Sequence, residues 1–582
     1  MNKPQTFLID LKYIYSSMLI KTLLALKKKY RVFIYLFLII LVSFYLRTFN
    51  VNWDNNHYFH PDERAIIMYA SPLRFPTSIQ EFLSIQSPLN PHFFAYGNFP
   101  LYLVKFFGSL LSGLNPVFSM YGGLHIVGRV ISASADTGTV VLAFLIGSLL
   151  FSKRAGLIAA TLYCFSVFPI QVAHFYAVDA LLTFFMTATI LSAIYFSKHP
   201  NTLKSVFLGS LLGLSLATKV SAAIIILPIT IPFFVHIFKK GYKKSAILAY
   251  AFLVLISSVF IFFSTQPYAL IDFSNFLQQV ILQSQMSNNP FLFPYTLQYV
   301  GKIPYIYELK NIFHFGLGPI IFTLCAAGIY FLFIRLKRGA IKLNLSLFLI
   351  FFYTALYFFV FGRFAVGWMR YMLPVYPMLS LFGGYFLSEI VVKKIEKKYL
   401  TNYLRKKVVL FFFLISVGLY PLSFLSIYNY PNTREQASNW INKNIPPGSS
   451  LAVEHWDDAL PVYGMERYLQ LTLPLYEPDT DQKWEQINTV LHDTQYIIIA
   501  SNRLYIPLQK LTNCKELPPD RCYPRTAAYY QKLFNNQLGF TKVAEFTDYP
   551  KVPFLNLELK DDSADESFTV YDHPKIMIFK KD

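Results

Sequence analysis

Long apolar runs separated by short polar turns dominate the chain. Runs able to cross a hydrocarbon core of roughly 30 Å fall near 33–49, 126–150, 155–172, 178–197, 203–218, 220–238, 245–265, 316–335, 345–361, 371–391 and 408–427, about eleven spans. Inside lipid every backbone N–H and C=O must be satisfied within its own segment, so these runs predict α-helices. Two polar stretches interrupt them. In 50–125 the apolar piece from Phe99 to Leu114 is short and broken, which predicts a helix lying at the membrane interface. In 266–314, Pro267, Pro290, Pro294 and Pro304 break any long helix and predict a rim or lid.

After Tyr428 the periodicity changes. Helix-like pieces at 433–444, 482–492 and 524–538 alternate with strand-like pieces at 450–453, 496–500, 541–546 and 575–579, which predicts a small α/β domain. The chain thus divides into a segment 1–32, a helical membrane domain 33–427 and a domain 428–582. No internal repeat, G-x-G-x-x-G or P-loop is visible.

Composition agrees with a polytopic helical membrane protein: 582 residues, 54% hydrophobic and only 14% charged. The formal charge of +20 lies in juxtamembrane clusters: Lys27, Lys28, Lys29 and Arg31, then Lys153 and Arg154, 239–244, 335–338 and 393–407. By the positive-inside rule these mark cytoplasmic loops, which puts the N-terminus inside and, with an odd span count, 428–582 outside. Clusters of this kind exclude a nucleic-acid-binding face. The segment 1–31 shows no small-residue cleavage site, so the first span is expected to be a retained signal anchor. Cys164 and Cys325 fall in spans, whereas Cys514 and Cys522 are eight residues apart in the outer domain and are expected to form a disulfide.

The candidate chemistry is acidic and sits beyond the span ends. Asp62 and Glu63, in Phe59-His60-Pro61-Asp62-Glu63-Arg64, follow the first span in a short loop. Two adjacent carboxylates have little structural use at the mouth of an apolar bundle, where desolvation is costly. Asp179, at the outer start of the fourth span, reads either as a helix cap or as a second acid facing Asp62.

These motifs together resemble glycosyltransferase family 39. The resemblance rests on the first-loop acidic pair, Phe99-Pro100-Leu101-Tyr102, the run from His174 and Phe175 through Asp179 to Leu181-Leu182-Thr183, Gly213-Leu214 with Ala217-Thr218-Lys219, and Arg370-Tyr371-Met372-Leu373-Pro374. It spans roughly residues 30 to 430. The outer domain, with Glu454-His455-Trp456-Asp457-Asp458 and Tyr571-Asp572-His573-Pro574-Lys575, is similar to that of bacterial members. The family includes protein O-mannosyltransferases and the lipid A aminoarabinose transferase, and has the GT-C membrane fold.

The resemblance implies a sugar donor carried on a polyprenyl phosphate, an extracytoplasmic hydroxyl acceptor and a bacterial plasma membrane. On that reading Asp62 is the general base, with Glu63 and Asp179 as further catalytic carboxylates. Arg370 and Lys219 meet the lipid phosphate, Arg370 better than Lys219 because guanidinium forks suit phosphate. His57, His60 and His174 could join Glu63 or Asp179 around a divalent metal, with His60, Glu63 and His174 the ligand set expected, although their spacing follows no zinc pattern. A single displacement predicts inversion at the anomeric carbon. The alternatives are a transporter or lipid flippase, which usually places charges at mid-membrane, and a non-catalytic membrane scaffold, which would leave the three carboxylates without a shared purpose.

Overall fold

The computed structural model describes residues 30–239, 241–392, 403–555 and 557–582. Lys27, Lys28, Lys29, Lys240 and most of the basic stretch 393–407 lie outside them.

Each of the eleven apolar runs carries helix. Among the described residues eight helices are long and apolar enough to cross a membrane on their own: Tyr30–Thr48, Tyr121–Leu150, Val178–Lys198, Val220–Phe238, Lys244–Thr265, Pro319–Lys337, Leu345–Gly362 and Leu410–Asn444. Lys153–Cys164 and Val167–Ala173 make a ninth if the pair, bent by 61°, is one span. Thr202–Thr218 is one residue short of the span length at 17 residues. The run at 371–391 is divided between a 3-10 turn, Met369–Val375, and the helix Tyr376–Phe386. Phe99–Leu111 has 13 residues, about 20 Å at 1.5 Å per residue, too short to cross.

A buried ion pair fastens the first span into the bundle. Arg47 Nε meets Asp136 Oδ2 at 2.5 Å with both side chains fully buried, and Tyr163 Oη donates to the other carboxylate oxygen at 2.5 Å. In lipid such charges persist only when paired and hydrogen-bonded, so the triad locks the helices rather than exposing chemistry.

The 428–582 segment folds as a five-stranded sheet, β1 (Ser450–Glu454), β2 (Leu469–Leu473), β3 (Tyr496–Ile499), β4 (Phe540–Phe546) and β5 (Ile576–Lys581). The order is β2-β1-β3-β5-β4, with β2, β1 and β3 parallel and β5 antiparallel to both its neighbours. Period-two alternation gives each face its own core. Ala452, Ile497, Ile499, Met577 and Phe579 pack with Leu297 of the 266–314 stretch, while Leu451, Val453, Ile498, Ile576 and Ile578 pack with Ile441 of the helix Thr433–Asn444. β2 is absent from the sequence expectation, although Leu469-Gln470-Leu471-Thr472-Leu473 alternates; it is a partly buried edge strand.

This domain is seated firmly on the membrane domain. Phe568, Val570 and Tyr571 belong to the same apolar cluster as the spans, Tyr428 Oη and Gln171 Nε2 each donate to Asp572 Oδ2 at 2.9 Å, and Gln298 Nε2 donates to Glu566 at 2.7 Å. Cys514 and Cys522 are joined, with their Cα atoms 5.3 Å apart.

Candidate active site

Asp62 and Glu63 stand not in a loop but in the first turn of a helix, Pro61–Ala70. Proline at the first position and acids in the first turn suit a helix start, where backbone N–H groups are free and the dipole favours anions. His60 caps it, its Nδ1 accepting from Glu63 N at 3.4 Å. That role needs an unprotonated ring nitrogen; burial, reinforced by Arg370 and Arg129, holds His60 well below the ordinary histidine range.

Successive helical positions point about 100° apart, so the two carboxylates diverge. Glu63 turns into the core. It is fully buried and takes Arg129 Nη2 at 2.5 Å and Nε at 2.9 Å, while Tyr176 N donates to it at 2.7 Å. Arg129 also grips Asp54 through 2.8 and 2.9 Å bonds. Three donors thus engage both carboxylate oxygens of Glu63 and hold it in the core, a geometry that gives it an anchoring role.

Asp62 turns the other way and forms an ion pair with Arg370, both side chains keeping some solvent contact. Arg370 lies over the Trp368 ring at 5.4 Å, and its Nε is 3.9 Å from Asp179 Oδ2, too long for a hydrogen bond. Asp179, 2% exposed at the start of the helix Val178–Lys198, takes Lys219 Nζ at 2.9 Å. Asp62, Arg370, Asp179 and Lys219 therefore form one continuous line of alternating charge, although they come from four distant parts of the sequence.

Lys219 owes its place to a close backbone approach. It follows the helix Thr202–Thr218 in an extended conformation, and Gly97 N donates to Thr218 O at 3.1 Å. A Cβ on Gly97 would lie 1.7 Å from Ala217 O, so only glycine permits the contact. The neighbouring Tyr96 then sits 5.7 Å from the Lys219 ammonium, with Tyr371 at 5.3 Å on another side.

Asp179, Lys219, Tyr96 and Tyr371 form one end of a cavity of about 390 Å³. Gln283, Ser284, Ser287 and Asn288 supply a neutral polar wall, and Leu182, Ile224, Val360 and Phe361 an apolar one. Asp62 and Arg370 stand beside Asp179 rather than in the cavity wall. The 428–582 domain covers this corner: the Tyr571 ring lies 4.3 Å from His60, and burial pushes the Tyr571 hydroxyl up to about 12, against the pull of Arg370 and Arg503.

The expected metal set is a correction. His60 caps a helix, Glu63 is consumed by Arg129, and His174 has its two ring nitrogens 2.8 and 3.0 Å from the carbonyl oxygens of Ile170 and Phe49. His57 instead stacks on Phe59 at 5.4 Å. Among the described residues no group of three or more His, Cys, Asp or Glu side chains is placed to hold a metal. Asp62 and Asp179, each already matched by a cation, do not fit a divalent ion as they stand.

Sequence reasoning missed Tyr96, Trp368, Tyr371 and Tyr571 as site residues. Tyr371 and Tyr571 were inside quoted motifs, next to Arg370 and Asp572; Tyr96 and Trp368 carried no charge pattern to single them out in a chain that is 18% aromatic.

Residues 34–277 match the family model of dolichyl-phosphate-mannose-protein mannosyltransferases. No curated protein matches the chain. Among solved structures it is similar to the archaeal oligosaccharyltransferase AglB from Archaeoglobus fulgidus, in complex with an inhibitory peptide and a dolichol-phosphate, at 13% identity over 95% of this chain and 89% of that one, with a TM-score of 0.48. It is also similar to ArnT from Cupriavidus metallidurans bound to undecaprenyl phosphate, at 14% identity over 81% and 94% of the two chains, with a TM-score of 0.47. Likenesses this distant add nothing to the chemistry, and none of the matches supports a transporter. The stretch that matches the mannosyltransferase family model, residues 34–277, is the one that carries Asp62, Asp179 and Lys219.

Proposed function

We propose that the protein moves a sugar from a polyprenyl-phosphate donor to an acceptor hydroxyl on the extracytoplasmic side of a bacterial plasma membrane, with Asp62 as general base. The observation that carries this is the line Asp62, Arg370, Asp179, Lys219 beside a cavity with one polar and one apolar wall. A prenyl tail can stay in lipid along the apolar side while its phosphate reaches Lys219 and Arg370.

In the transfer the acceptor O–H gives its proton to Asp62 as its oxygen bonds to the anomeric carbon. The bond from that carbon to the phosphate oxygen breaks, and its electron pair leaves on the polyprenyl phosphate, where cationic hydrogen-bond donors meet the developing charge. One displacement inverts the anomeric centre. Arg370 holds Asp62 at rest, and a carboxylate facing a guanidinium is a poor proton acceptor. Phosphate arriving at Arg370 competes for that guanidinium and frees Asp62, so the base is released when donor is bound. Asp179 then positions Lys219 and Arg370 rather than meeting substrate.

The test is turnover of a panel of polyprenyl-phosphate sugars by the purified protein in lipid, following release of polyprenyl phosphate. Turnover of at least one supports the assignment; failure of the whole panel, with acceptor and with water alone, removes it. A reporter fused after Asp582 tests the side: a cytoplasmic signal overturns the extracytoplasmic placement.

A further inference from the structure

Trp456 is the one tryptophan among the described residues whose ring is largely open, at 43% exposure. It is also one of the few non-glycine residues at positive φ, +77°. A bulky side chain adopts that backbone region only when its surroundings enforce it. The enforcement is visible: Arg503 Nη1 donates to the Trp456 carbonyl at 3.2 Å, and Arg503 is itself held by Glu566 at 2.7 Å. An exposed apolar ring, on a fixed backbone just past the end of β1, has been turned toward solvent at a cost to the fold.

Its surroundings lead to the active site. The Tyr295 ring lies 6.4 Å from Trp456 and 6.2 Å from Trp368, and Trp368 supports Arg370, the partner of Asp62. On a second side Asp458 Oδ1 meets Arg64 Nη1 at 3.3 Å, both side chains partly solvent-exposed. Arg64 stands two residues after Asp62 on the same helix, and Asp458 two residues after Trp456. An aromatic face, the exposed Arg64 guanidinium and the half-buried Asp458 carboxylate, which also meets Arg434 at 3.5 Å, thus lie near the catalytic corner.

That combination is the chemistry of sugar binding: a flat aromatic surface for the C–H face of a pyranose, with charged hydrogen-bonding groups at its edge for ring hydroxyls. We infer that Trp456, with Asp458 and Arg64, forms an acceptor subsite for a saccharide, so that the hydroxyl attacked beside Asp62 belongs to a glycan. This rests on the glycosyltransferase reading above and narrows its acceptor.

The experiment compares wild type with Trp456→Ala, Trp456→Phe and Trp456→Tyr, using neutral di- and trisaccharides and, separately, Ser/Thr-containing hexapeptides as acceptor probes. Release of polyprenyl phosphate into water alone monitors the donor half. The subsite predicts that Trp456→Ala raises the saccharide KM by about tenfold, the upper end for an aromatic contact, that Phe and Tyr keep it within about threefold, and that in all three the change in saccharide KM exceeds any change in donor hydrolysis. Saccharides should also shield tryptophan fluorescence from acrylamide in wild type and not in Trp456→Ala. Transfer to peptides and not to saccharides, or an unchanged saccharide KM in Trp456→Ala, overturns the inference while leaving the enzyme assignment intact. Absence of donor turnover in wild type overturns both.

Discussion

His573 is the clearest place to test how the 428–582 domain is held over the candidate site. Its ring is buried between two carboxylates, Nδ1 at 2.5 Å from Asp572 Oδ1 and Nε2 at 3.0 Å from Asp561 Oδ2. Burial alone would lower its pKa, but the two acids overcome it and raise the group from 6.5 to about 10. Asp572 uses its other oxygen to accept from Gln171 of the membrane domain and from Tyr428 at the junction, so the charge on His573 also fixes the docking. At about 1.36 kcal/mol per pH unit the rise corresponds to about 5 kcal/mol, an upper figure because protons are shared within the cluster. Folding raises this pKa, so the contribution is complete below 6.5 and is lost as pH rises through about 10. His573→Gln removes the cation and leaves two buried acids facing each other. The assay is thermal unfolding of wild type and variant in detergent, at pH 7 and at pH 10.5, followed by near-ultraviolet circular dichroism. At pH 7 the variant should melt several degrees lower, and the gap should shrink at pH 10.5. Taking the difference between the two proteins cancels lysine and tyrosine titrations common to both. An equal gap at both pH values refutes the argument that His573 acts through its charge.

The remaining expectations separate chemistry from structure. Asp62→Asn should reduce transfer by roughly 10²–10⁴-fold, the usual range for loss of a general base, with expression and melting temperature unchanged; retention of most of the turnover removes Asp62 from that role. Arg370→Ala should lower kcat/KM for the donor by the equivalent of roughly 1.5–3 kcal/mol, as expected for charge-assisted hydrogen bonds, with little change in acceptor KM; equal losses for both substrates would point to collapse of the site. Glu63→Gln should act on stability instead, costing about 3–5 kcal/mol because Arg129 is left only partly compensated in the core; a variant that melts like wild type but turns over nothing would restore Glu63 to catalysis.

The membrane fold was legible because period and length are enforced by lipid, and each apolar run carries helix. The finer geometry was not. Thr202–Thr218 is short, and the run at 371–391 is broken near Pro374 and Pro377, features of local packing that a hydropathy window averages away. In the 428–582 domain β1, β3, β4 and β5 were expected, whereas β2, which like β4 lies at a sheet edge, was not.

Asp62 and Glu63 show where reading a site from sequence stops. On the sequence Asp62 is the expected base and Glu63 a further catalytic carboxylate, and what separates them in space is the helix that starts at Pro61. On a strand they would also have parted, but to faces set by a sheet partner; on a loop nothing would have fixed either. On a helix start, one position faces inward, and a carboxylate can live there only because Arg129 arrives from residue 129 to meet it. The outward position is left to meet a cation that can also serve a substrate, and Arg370 arrives from a point beyond the family-matched stretch. Local sequence told that an acidic pair was unusual; the partner of each acid, which decides its role, was set by pairings 66 and 308 residues away. Charge-matching at long range is therefore the step that turns a motif into an assignment here, and it predicts that exchanging the two residues, Asp62→Glu with Glu63→Asp, fails on both counts, since neither partner can follow a carboxylate moved by one methylene.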